Sequence, residues 1–398
     1  MVTRRGRRER MSRLSDDLAD ARYRTAPALA RRGESWFVRK LASATAGARR
    51  KRLTRSPGAT RTLASAHQIA KLLAELRRPG RLPRRMRSRW NDQTAREVAR
   101  LVLHHTLEID VGGEFVSGAA AARTIFRRSA RSLTPAKDGV SLQALRYGAE
   151  LSLRDQHDLA LRLYGYNRIP PQPLWRQRLA TPSAVASWLA LDRGRLQTAL
   201  TRHWTGKLEP TPGEIWLFWQ PRAPNAHDPA ASTQYKAYVS VAPEQSPEAF
   251  ARVVQTLVET GPTPFKIAAD AHGFFRPDKL IVYFDSWSRL TAFARALSPR
   301  LDGLAAHAVP FTAAIGSASR ISWGVDFPAR LNLMLGDESE SWRMWVSRRL
   351  ALALCEGENE SLTKEQCVQF ALDCAWLDGV DTRTWAPDDA LLTELAGA

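Results

Sequence analysis

The alternation of apolar and polar positions is most informative between Phe265 and Phe284. Phe265–Asp270 alternates loosely, and Leu280–Phe284 is a continuous run of apolar, β-favouring residues. Between these two runs, His272–Gly273 and Pro277–Asp278 are residue types that favour turns. The pattern therefore predicts two strands joined by a short loop.

A further strand is predicted upstream, at Tyr235–Val241, where the residues alternate with a period of two. Lys236, Tyr238 and Ser240 share one face of this strand, and the other face is formed by Tyr, Ala and Val side chains. Strands of this kind predict a sheet with one side in the core and one side that carries Lys and Tyr.

Apolar residues at helical spacing predict helices through the first half of the chain. A hairpin with Gly112–Gly113 at its turn is predicted at Leu107–Gly118. From Glu214 onward, strands and helices alternate in mixed order. The predicted helices cover residues 62–77, 119–129, 142–163, 183–204, 246–260, 289–297, 341–355 and 363–376, with one more beginning after Asn91–Asp92.

The predicted fold class is α+β, with a helical N-terminal domain followed by a mixed sheet flanked by helices. We expect residues 1–60 to form a basic head that is disordered or weakly helical, because large apolar residues are few there. Residues 61–210 are expected to form the mainly helical domain. Residues 211–398 are expected to form the α+β domain that carries the site.

The net charge of +19 is concentrated at one end of the chain. Residues 1–100 contain 28 Lys and Arg against 8 Asp and Glu, so the remaining residues are close to neutral. This distribution argues against nucleic-acid binding by the body of the protein. The basic head can be a solvated tail or a docking surface for an acidic partner.

Other sequence features limit the function classes. No run approaches the roughly 18 apolar residues that a transmembrane helix needs, and no hydrophobic segment of a secretory signal follows the Arg-rich start. The cysteines Cys355, Cys367 and Cys374 form neither a CxxC motif nor a pattern with histidines. We therefore expect a cytoplasmic protein without a metal site or other cofactor.

Five features of the chain form a recognisable set: YKAYVSV, FKIAADAHGFFRPDKLIVYF, LYGYNRIPPQP, the pair Phe311-Thr312 and WLDGVDTRTW near the end. Together they resemble the HopA-type effector family, which includes the lyase component of class V lanthipeptide and thioamitide biosynthesis. The resemblance covers the chain from about Leu107 onward and leaves the basic head outside. That family is in turn distantly similar to phosphothreonine lyases of bacterial effectors.

The resemblance implies β-elimination of phosphate from phosphoserine or phosphothreonine, leaving a dehydroamino acid. It implies Lys266 as the base, with Lys236 and Arg276 holding the phosphate. The chain departs from the pattern at Tyr238, where such lyases have a histidine acid. It also carries RISWGVDFP, with Asp326, where many members have a glycine-rich acidic run.

The residues themselves fit this chemistry. Lysine is a poor base in water, with a pKa of about 10.4. Burial and nearby cations such as Lys236, Arg276 and Lys279 would lower the pKa of Lys266. The same cations suit a dianionic phosphate, which arginine can grip through two oxygens.

Each candidate also has a plain structural interpretation. Lys266 and Lys279 can face solvent, and Arg276 can pair with Asp278 on an exposed strand. His272 is either a surface histidine or the proton donor.

The two tyrosines remain open as well. Tyr283 is either a core residue or a catalytic residue that serves as a phosphate or acid ligand. Tyr238 shares the face of Lys236, which makes it a candidate acid.

The leading hypothesis is a lyase-type component of a ribosomal-peptide modifying system. Its partners would be a phosphorylated precursor peptide and a separate kinase, because the sequence has no kinase motif of its own. Two alternatives are a non-catalytic peptide-binding scaffold with the same fold and a secreted effector.

Overall fold

The structure of the protein is a computed structural model, which describes residues 14–30, 69–126, 139–211, 213–222, 234–327 and 340–397. One connected hydrophobic core runs through these residues, from Leu14 to Trp385. Predictions for the remaining positions, including most of the basic head and residues 62–68 of the first predicted helix, lie outside the described residues.

A four-stranded antiparallel sheet lies near the N-terminus, in the strand order β2-β1-β3-β4. Its strands are β1 (Arg22–Thr25), β2 (Gly80–Arg81), β3 (Leu107–Val111) and β4 (Glu114–Val116). The β3–β4 pairing confirms the predicted hairpin, whose turn has both glycines at positive φ. Residues 14–30 differ from the disorder expected for the head, because β1 is paired on both sides within this sheet.

The first half of the chain is otherwise helical. Its helices are α1 (Pro27–Ala30), α2 (Arg84–Arg87), α3 (Asp92–Leu103), α4 (Gly118–Ile125), α5 (Val140–Glu150), α6 (Gln156–Tyr164), α7 (Pro173–Arg178), α8 (Pro182–Trp188) and α9 (Gly194–His203). Helix α3 begins as predicted, with the Asn91 side chain accepting from the Thr94 N–H.

Two predicted helices are each interrupted. The segment 142–163 divides into α5 and α6, because Ser152 has a φ of 50° and Asp155 caps a new helix. The segment 183–204 divides into α8 and α9, where Ala190 has a φ of 57° and Gly194 a φ of 75°. Apolar periodicity continues across both breaks, so it did not reveal them.

An eight-stranded antiparallel sheet dominates the second half, in the order β10-β11-β7-β9-β8-β6-β5, with β12 paired to β11. Its strands are β5 (Trp204–Gly206), β6 (Trp216–Pro221), β7 (Gln234–Val239), β8 (Phe265–Ala268), β9 (Leu280–Phe284), β10 (Ala313–Ile315), β11 (Ile321–Phe327) and β12 (Glu340–Ser341). The predicted α+β class is confirmed, and the two strands of the Phe265–Phe284 stretch pair directly as β8 and β9.

One face of this sheet is covered by the helices α10 (Ser246–Thr260) and α12 (Trp287–Leu297). Phe250 of α10 packs its ring 5.7 Å from that of Trp219 and 5.9 Å from that of Phe265. Phe293 of α12 lies 5.2 Å from the ring of Phe284. The opposite face carries the Lys and Tyr side chains, as the period-two alternation predicted.

The last part of the chain returns to the helices of the first half. It contains α13 (Trp342–Asn359), α14 (Lys364–Leu377), the hairpin of β13 (Val380–Asp381) with β14 (Ala386–Pro387), and α15 (Asp389–Gly397). Helix α13 packs against α6, and α14 packs against α5 and α3. The helical layer is therefore built from both ends of the chain. The short helical turn α11 (Ala271–Phe274) lies between β8 and β9.

Candidate active site

Two lysines lie on either side of a tyrosine ring, on the face of the large sheet opposite α10 and α12. Lys236 comes from β7 and Lys266 from β8, and β9 runs between them with Tyr283. The Nζ atoms of Lys236 and Lys266 are 5.1 Å and 5.9 Å from the centre of the Tyr283 ring. The structure thus brings together three of the residues that the sequence predicted for the site.

Lys236 has a carboxylate partner. Its Nζ lies 2.5 Å from Oδ2 of Asp326, which belongs to the neighbouring strand β11. The second carboxylate oxygen, Oδ1, is buried without a hydrogen bond in the described part of the chain. Burial raises the pKa of Asp326, and the adjacent Lys236 opposes that rise. Lys236 is therefore a buried cation held in place by a buried carboxylate.

Lys266 lacks such a partner among the ion pairs of the described residues. Its Nζ lies 4.3 Å from the centre of the Trp216 ring. Burial, and then the positive charge of Lys236, lower the pKa of Lys266 to about 8. The ring of Trp216 favours the protonated amine. With a pKa of about 8, the neutral fraction of the amine rises steeply above pH 7.

Asp278 organises the cations beside the lysines. It is 2% exposed, and Arg276 binds it through two contacts, Nε to Oδ1 at 2.9 Å and Nη2 to Oδ2 at 3.0 Å. Arg343 of α13 donates from Nη1 to Oδ2 at 2.7 Å, and the Tyr164 hydroxyl donates to the same oxygen at 3.2 Å. Burial alone would raise the pKa of Asp278, but Arg343 and Arg276 outweigh it and hold that pKa below its ordinary range.

This network fixes Arg276 with its guanidinium 5.3 Å from the centre of the Trp216 ring, the same ring that Lys266 covers. The predicted Arg276–Asp278 ion pair therefore exists, but it is buried rather than on an exposed strand. Because the pair uses Nε and one Nη2 proton, other N–H groups of Arg276 are left to bind an anion.

Arg168 adds a further positive charge that the sequence did not predict for the site. It follows Asn167 in the loop after α6 and is exposed to solvent. Partial burial and then the charge of Arg276 lower the pKa of Arg168, which remains a cation at neutral pH. Its guanidinium lies close enough to Arg276 and Asp278 for their charges to act on it.

Tyr238 lies on the same face and is almost entirely buried. It packs with Ile281, Tyr283 and Val309 in a small apolar cluster that is separate from the main core. Burial, and then the charge of Asp326, raise the pKa of the Tyr238 hydroxyl. Burial also raises the pKa of Tyr283. Both phenols therefore keep their protons at neutral pH and can donate hydrogen bonds.

Comparisons with known proteins find only distant similarities. No protein-family model and no curated protein matches the chain. Among solved structures, it is similar to an effector protein from Pseudomonas syringae pv. syringae strain 61, with 13% identity, 63% of this chain and 97% of that chain covered, and a TM-score of 0.40. It is also similar to the phosphothreonine lyase SpvC, an effector protein from Salmonella, with 14% identity, 46% and 89% covered and a TM-score of 0.27. The phosphothreonine lyase OspF from Shigella flexneri gives 16% identity, 42% and 90% covered and a TM-score of 0.26.

Lys236, Lys266, Arg276 and Arg168 form a cationic cluster. Lys279 is not part of it. It is 1% exposed and donates from Nζ to the Val241 carbonyl at 2.8 Å. It also contacts Nδ1 of His307 at 2.8 Å, and Nε2 of His307 donates to the Asn167 carbonyl at 2.7 Å. The structure therefore uses Lys279 in a buried hydrogen-bond network, and a bound phosphate could not reach it without rearrangement of that network.

His272 is likewise apart from the lysines. It lies on α11, where its ring is exposed to solvent, and α11 is fixed by the Asp270 side chain accepting from the Gly273 N–H. Within the described residues, its ring makes no hydrogen bond to Lys236, Lys266 or Arg276. Of the seven residues predicted for the site, the structure brings together Lys236, Tyr238, Lys266, Arg276 and Tyr283.

The buried amine of Lys279 gives a testable pH dependence of stability. Burial lowers its pKa from 10.5 to about 7. Between these two values the unfolded chain binds more protons than the folded protein, so the free energy of unfolding rises with pH. Replacing Lys279 by methionine should remove up to about 1.4 kcal/mol of this rise per pH unit. Urea unfolding at several pH values between 7 and 10 measures the slope.

The exposed Lys207, which pairs with Glu214, is the matched control for that experiment. Lys207→Met is expected to keep the slope of the parent protein. Equal slopes for the Lys279→Met variant and the parent protein would contradict the assignment.

Three residues of the site escaped prediction for different reasons. Trp216 could have been found, because it has the same strand parity as Phe218, which pairs directly with Lys266. Arg168 lies in the LYGYNRIPPQP segment, but nothing in that segment indicates which way it points. Arg343 lies 65 residues from its partner Asp278, and no local pattern links them.

The described residues contain neither a metal-binding group of side chains nor a membrane-spanning helix. No three His, Cys, Asp or Glu side chains of the described residues stand together in a way that would hold a metal ion. Within the same part of the chain, no helix has both the length and the apolar character needed to cross a bilayer.

Proposed function

We propose that this protein is a lyase that removes phosphate from a phosphothreonine or phosphoserine residue by β-elimination. The observation that carries the proposal is the contrast between the two lysines. Lys236 is paired with Asp326, whereas Lys266 has a pKa lowered to about 8 and lacks a carboxylate partner in the described chain. Pairs of groups whose environments separate their protonation states are typical of acid–base sites.

In the proposed mechanism, the neutral Lys266 amine removes the Cα proton of the phosphorylated residue. The C–H electron pair forms the Cα–Cβ double bond as the Cβ–O bond breaks, and phosphate leaves with the electron pair of the Cβ–O bond. The Lys236 ammonium stabilises the negative charge that develops on the substrate carbonyl oxygen. Arg276 and Arg168 bind the phosphate oxygens before and after the bond breaks.

The phosphate leaves as an anion bound by Arg276 and Arg168 and takes up a proton from solvent after its release, while the buried Tyr238 hydroxyl keeps its own proton. The product residue is a dehydroamino acid, and Lys266 returns its proton to solvent. No cofactor enters these steps. Asp326 is a positioning residue in this scheme, because its ion pair holds the Lys236 amine in place without touching the substrate.

The substrate we propose is a peptide phosphorylated by a separate kinase. The resemblance of the sequence to lyase components of lanthipeptide and thioamitide systems supports a ribosomally made precursor peptide as this substrate. Localisation to the cytoplasm, where both the kinase and the precursor would be available, belongs to the same proposal.

The pH dependence of the reaction tests the roles of the lysines. The rate of phosphate release from a phosphothreonine peptide should rise with pH up to about 8 and then level off as Lys266 becomes neutral. In Asp326→Asn, the rising limb should move to lower pH, because the carboxylate that favours charged Lys266 is gone. Stopped assays between pH 5 and 10 measure this shift.

Asp302, an exposed residue paired with Arg320, provides the control. Asp302→Asn should keep the parental profile. A rate that does not vary between pH 6 and 10 would contradict Lys266 as the base.

A second candidate is a non-catalytic protein that binds the precursor peptide and retains this fold. The non-catalytic candidate is favoured by Tyr238, which is buried and stands where the lyases have a histidine acid. This candidate predicts tight binding of unphosphorylated peptide and no phosphate release at any pH, even with the kinase present.

A further inference from the structure

A cleft of about 330 Å³ opens next to the cationic cluster. It lies between the loop after α6, the turn after β7 and the segment that carries His307. Most of its lining is apolar, and its main side chains are Ile169, Trp175, Pro243, Glu244, Phe275 and His307. Volume and lining are those of a small binding pocket rather than of a packing defect.

The cleft and the cationic cluster are joined by consecutive residues. Arg168 and Arg276 belong to the cluster, and their neighbours Ile169 and Phe275 line the cleft. The Ile169 N–H donates to the Phe275 carbonyl at 3.0 Å, so the two segments are held together at this border. An extended peptide advances about 3.3 Å per residue, so a side chain close to a phosphorylated residue at Arg276 can reach the cleft.

The walls of the cleft are stable and aromatic. The ring of Trp175 is 5.8 Å from that of Phe275, edge to face, and Trp175 also meets Trp188 at 5.6 Å. His307 is held on both ring nitrogens, by Lys279 and by the Asn167 carbonyl. The shape of the cleft therefore exists before any ligand enters.

The chemistry at the rim limits what can bind. Ile169 is 42% exposed and leaves an apolar surface at the rim that a ligand can cover. Glu244 is exposed at the rim and would repel an acidic residue. An apolar side chain of a ligand can cover Ile169, provided that no acidic residue of the ligand lies next to Glu244.

Resting on the proposed function, we infer that this cleft binds a large apolar side chain, preferably aromatic, of the substrate peptide close to its phosphorylated residue. The cleft would then select among phosphopeptides, and the cationic cluster would carry out the chemistry. Burial of one such side chain removes apolar surface from water and so stabilises the complex. Partial burial in an open cleft should therefore improve binding about tenfold.

The test uses phosphothreonine peptides of otherwise Ala, Ser and Gly residues, with a single Phe placed in turn at each of four positions on either side. One position, or two adjacent ones, should lower KM about tenfold relative to the peptide without Phe. The variant Ala306→Trp fills the cleft from its rim. It should abolish this preference and leave the rate with the Phe-free peptide unchanged.

Ala305→Trp is the matched control, because Ala305 is also exposed but does not line the cleft. It should keep the preference for Phe. Elimination without any Phe preference would overturn the inference and leave the proposed lyase function standing. A change of oligomeric state in Ala306→Trp, measured by sedimentation, would also overturn the inference, because the cleft would then be a contact between copies of this chain.

Binding separates this inference from the lyase activity itself. Fluorescence anisotropy of labelled, unphosphorylated peptides should show about tenfold tighter binding for the peptide with Phe at the preferred position, and Ala306→Trp should remove the difference. This result is expected even if no peptide undergoes elimination. Equal affinities for all peptides would overturn the inference independently of the reaction.

Discussion

Replacing Lys266 by methionine is expected to reduce phosphate elimination by about 10²–10⁴-fold, which is the rate contribution of a positioned general base. Methionine keeps a long apolar side chain that can pack against Trp216, so the surrounding sheet should be preserved. Lys266→Arg should be equally inactive, since arginine retains the charge but cannot give up its proton at neutral pH.

The control for this experiment is again Lys207→Met, which alters an exposed lysine after β5 and should leave the rate unchanged. Peptide affinity of the Lys266 variants should change little, because Arg276 and Arg168 still bind the phosphate. A Lys266→Met variant that retains more than about a tenth of the parental rate would show that another group removes the proton.

Replacing Arg343 by methionine is expected to lower the free energy of unfolding by about 3–5 kcal/mol, because it leaves Asp278 buried with one partner fewer. Arg343 is 1% exposed and donates to Asp278, to the Pro310 carbonyl at 3.1 Å and to the Tyr164 carbonyl at 2.8 Å. It therefore joins α13, α6 and the end of the large sheet. Denaturant unfolding at pH 7 measures the loss.

The same variant should change the acid sensitivity of the protein. Burial would raise the pKa of Asp278, but Arg343 and Arg276 hold it below the value of about 3.9 in the unfolded chain. This carboxylate therefore adds stability above that unfolded value, and the stability is lost as pH falls through the folded pKa. Arg343→Met should flatten this loss.

Arg320→Met offers the comparison, since Arg320 pairs with Asp302, whose side chain is 74% exposed. That pair is expected to contribute at most about 1 kcal/mol. If the two arginine variants lose the same stability, the buried network does not have the structural role that its contacts indicate.

Much of the site layout follows from local pattern. Period-two alternation at β7 and β8 places Lys236, Tyr238 and Lys266 on the face away from the core, and this holds because the apolar partners on the other face fix the register. The same reasoning found the turn residues of the β3–β4 hairpin. These features depend on neighbours in the chain, so the sequence contains the information for them.

The partners that give the lysines different roles depend on contacts between distant segments. Asp326 reaches Lys236 only because β11 lies beside β7, and Arg343 reaches Asp278 only because α13 packs under the sheet end. Lys279 was predicted to bind phosphate from its charge alone, but it follows Asp278 directly and its side chain enters the core. Period-two alternation within a strand does not predict the side-chain direction of a residue just outside the strand, and Lys279 directly precedes β9.

The mass of the product tests the central claim most directly. A phosphothreonine peptide incubated with the protein should become lighter by one phosphoric acid and gain the ability to add a thiol at its new double bond. Hydrolysis would instead leave an intact threonine, one water heavier than the elimination product and inert to thiols. A product with threonine restored, or a peptide that keeps its phosphate at pH 8 to 9 with Lys266 intact, would contradict the account.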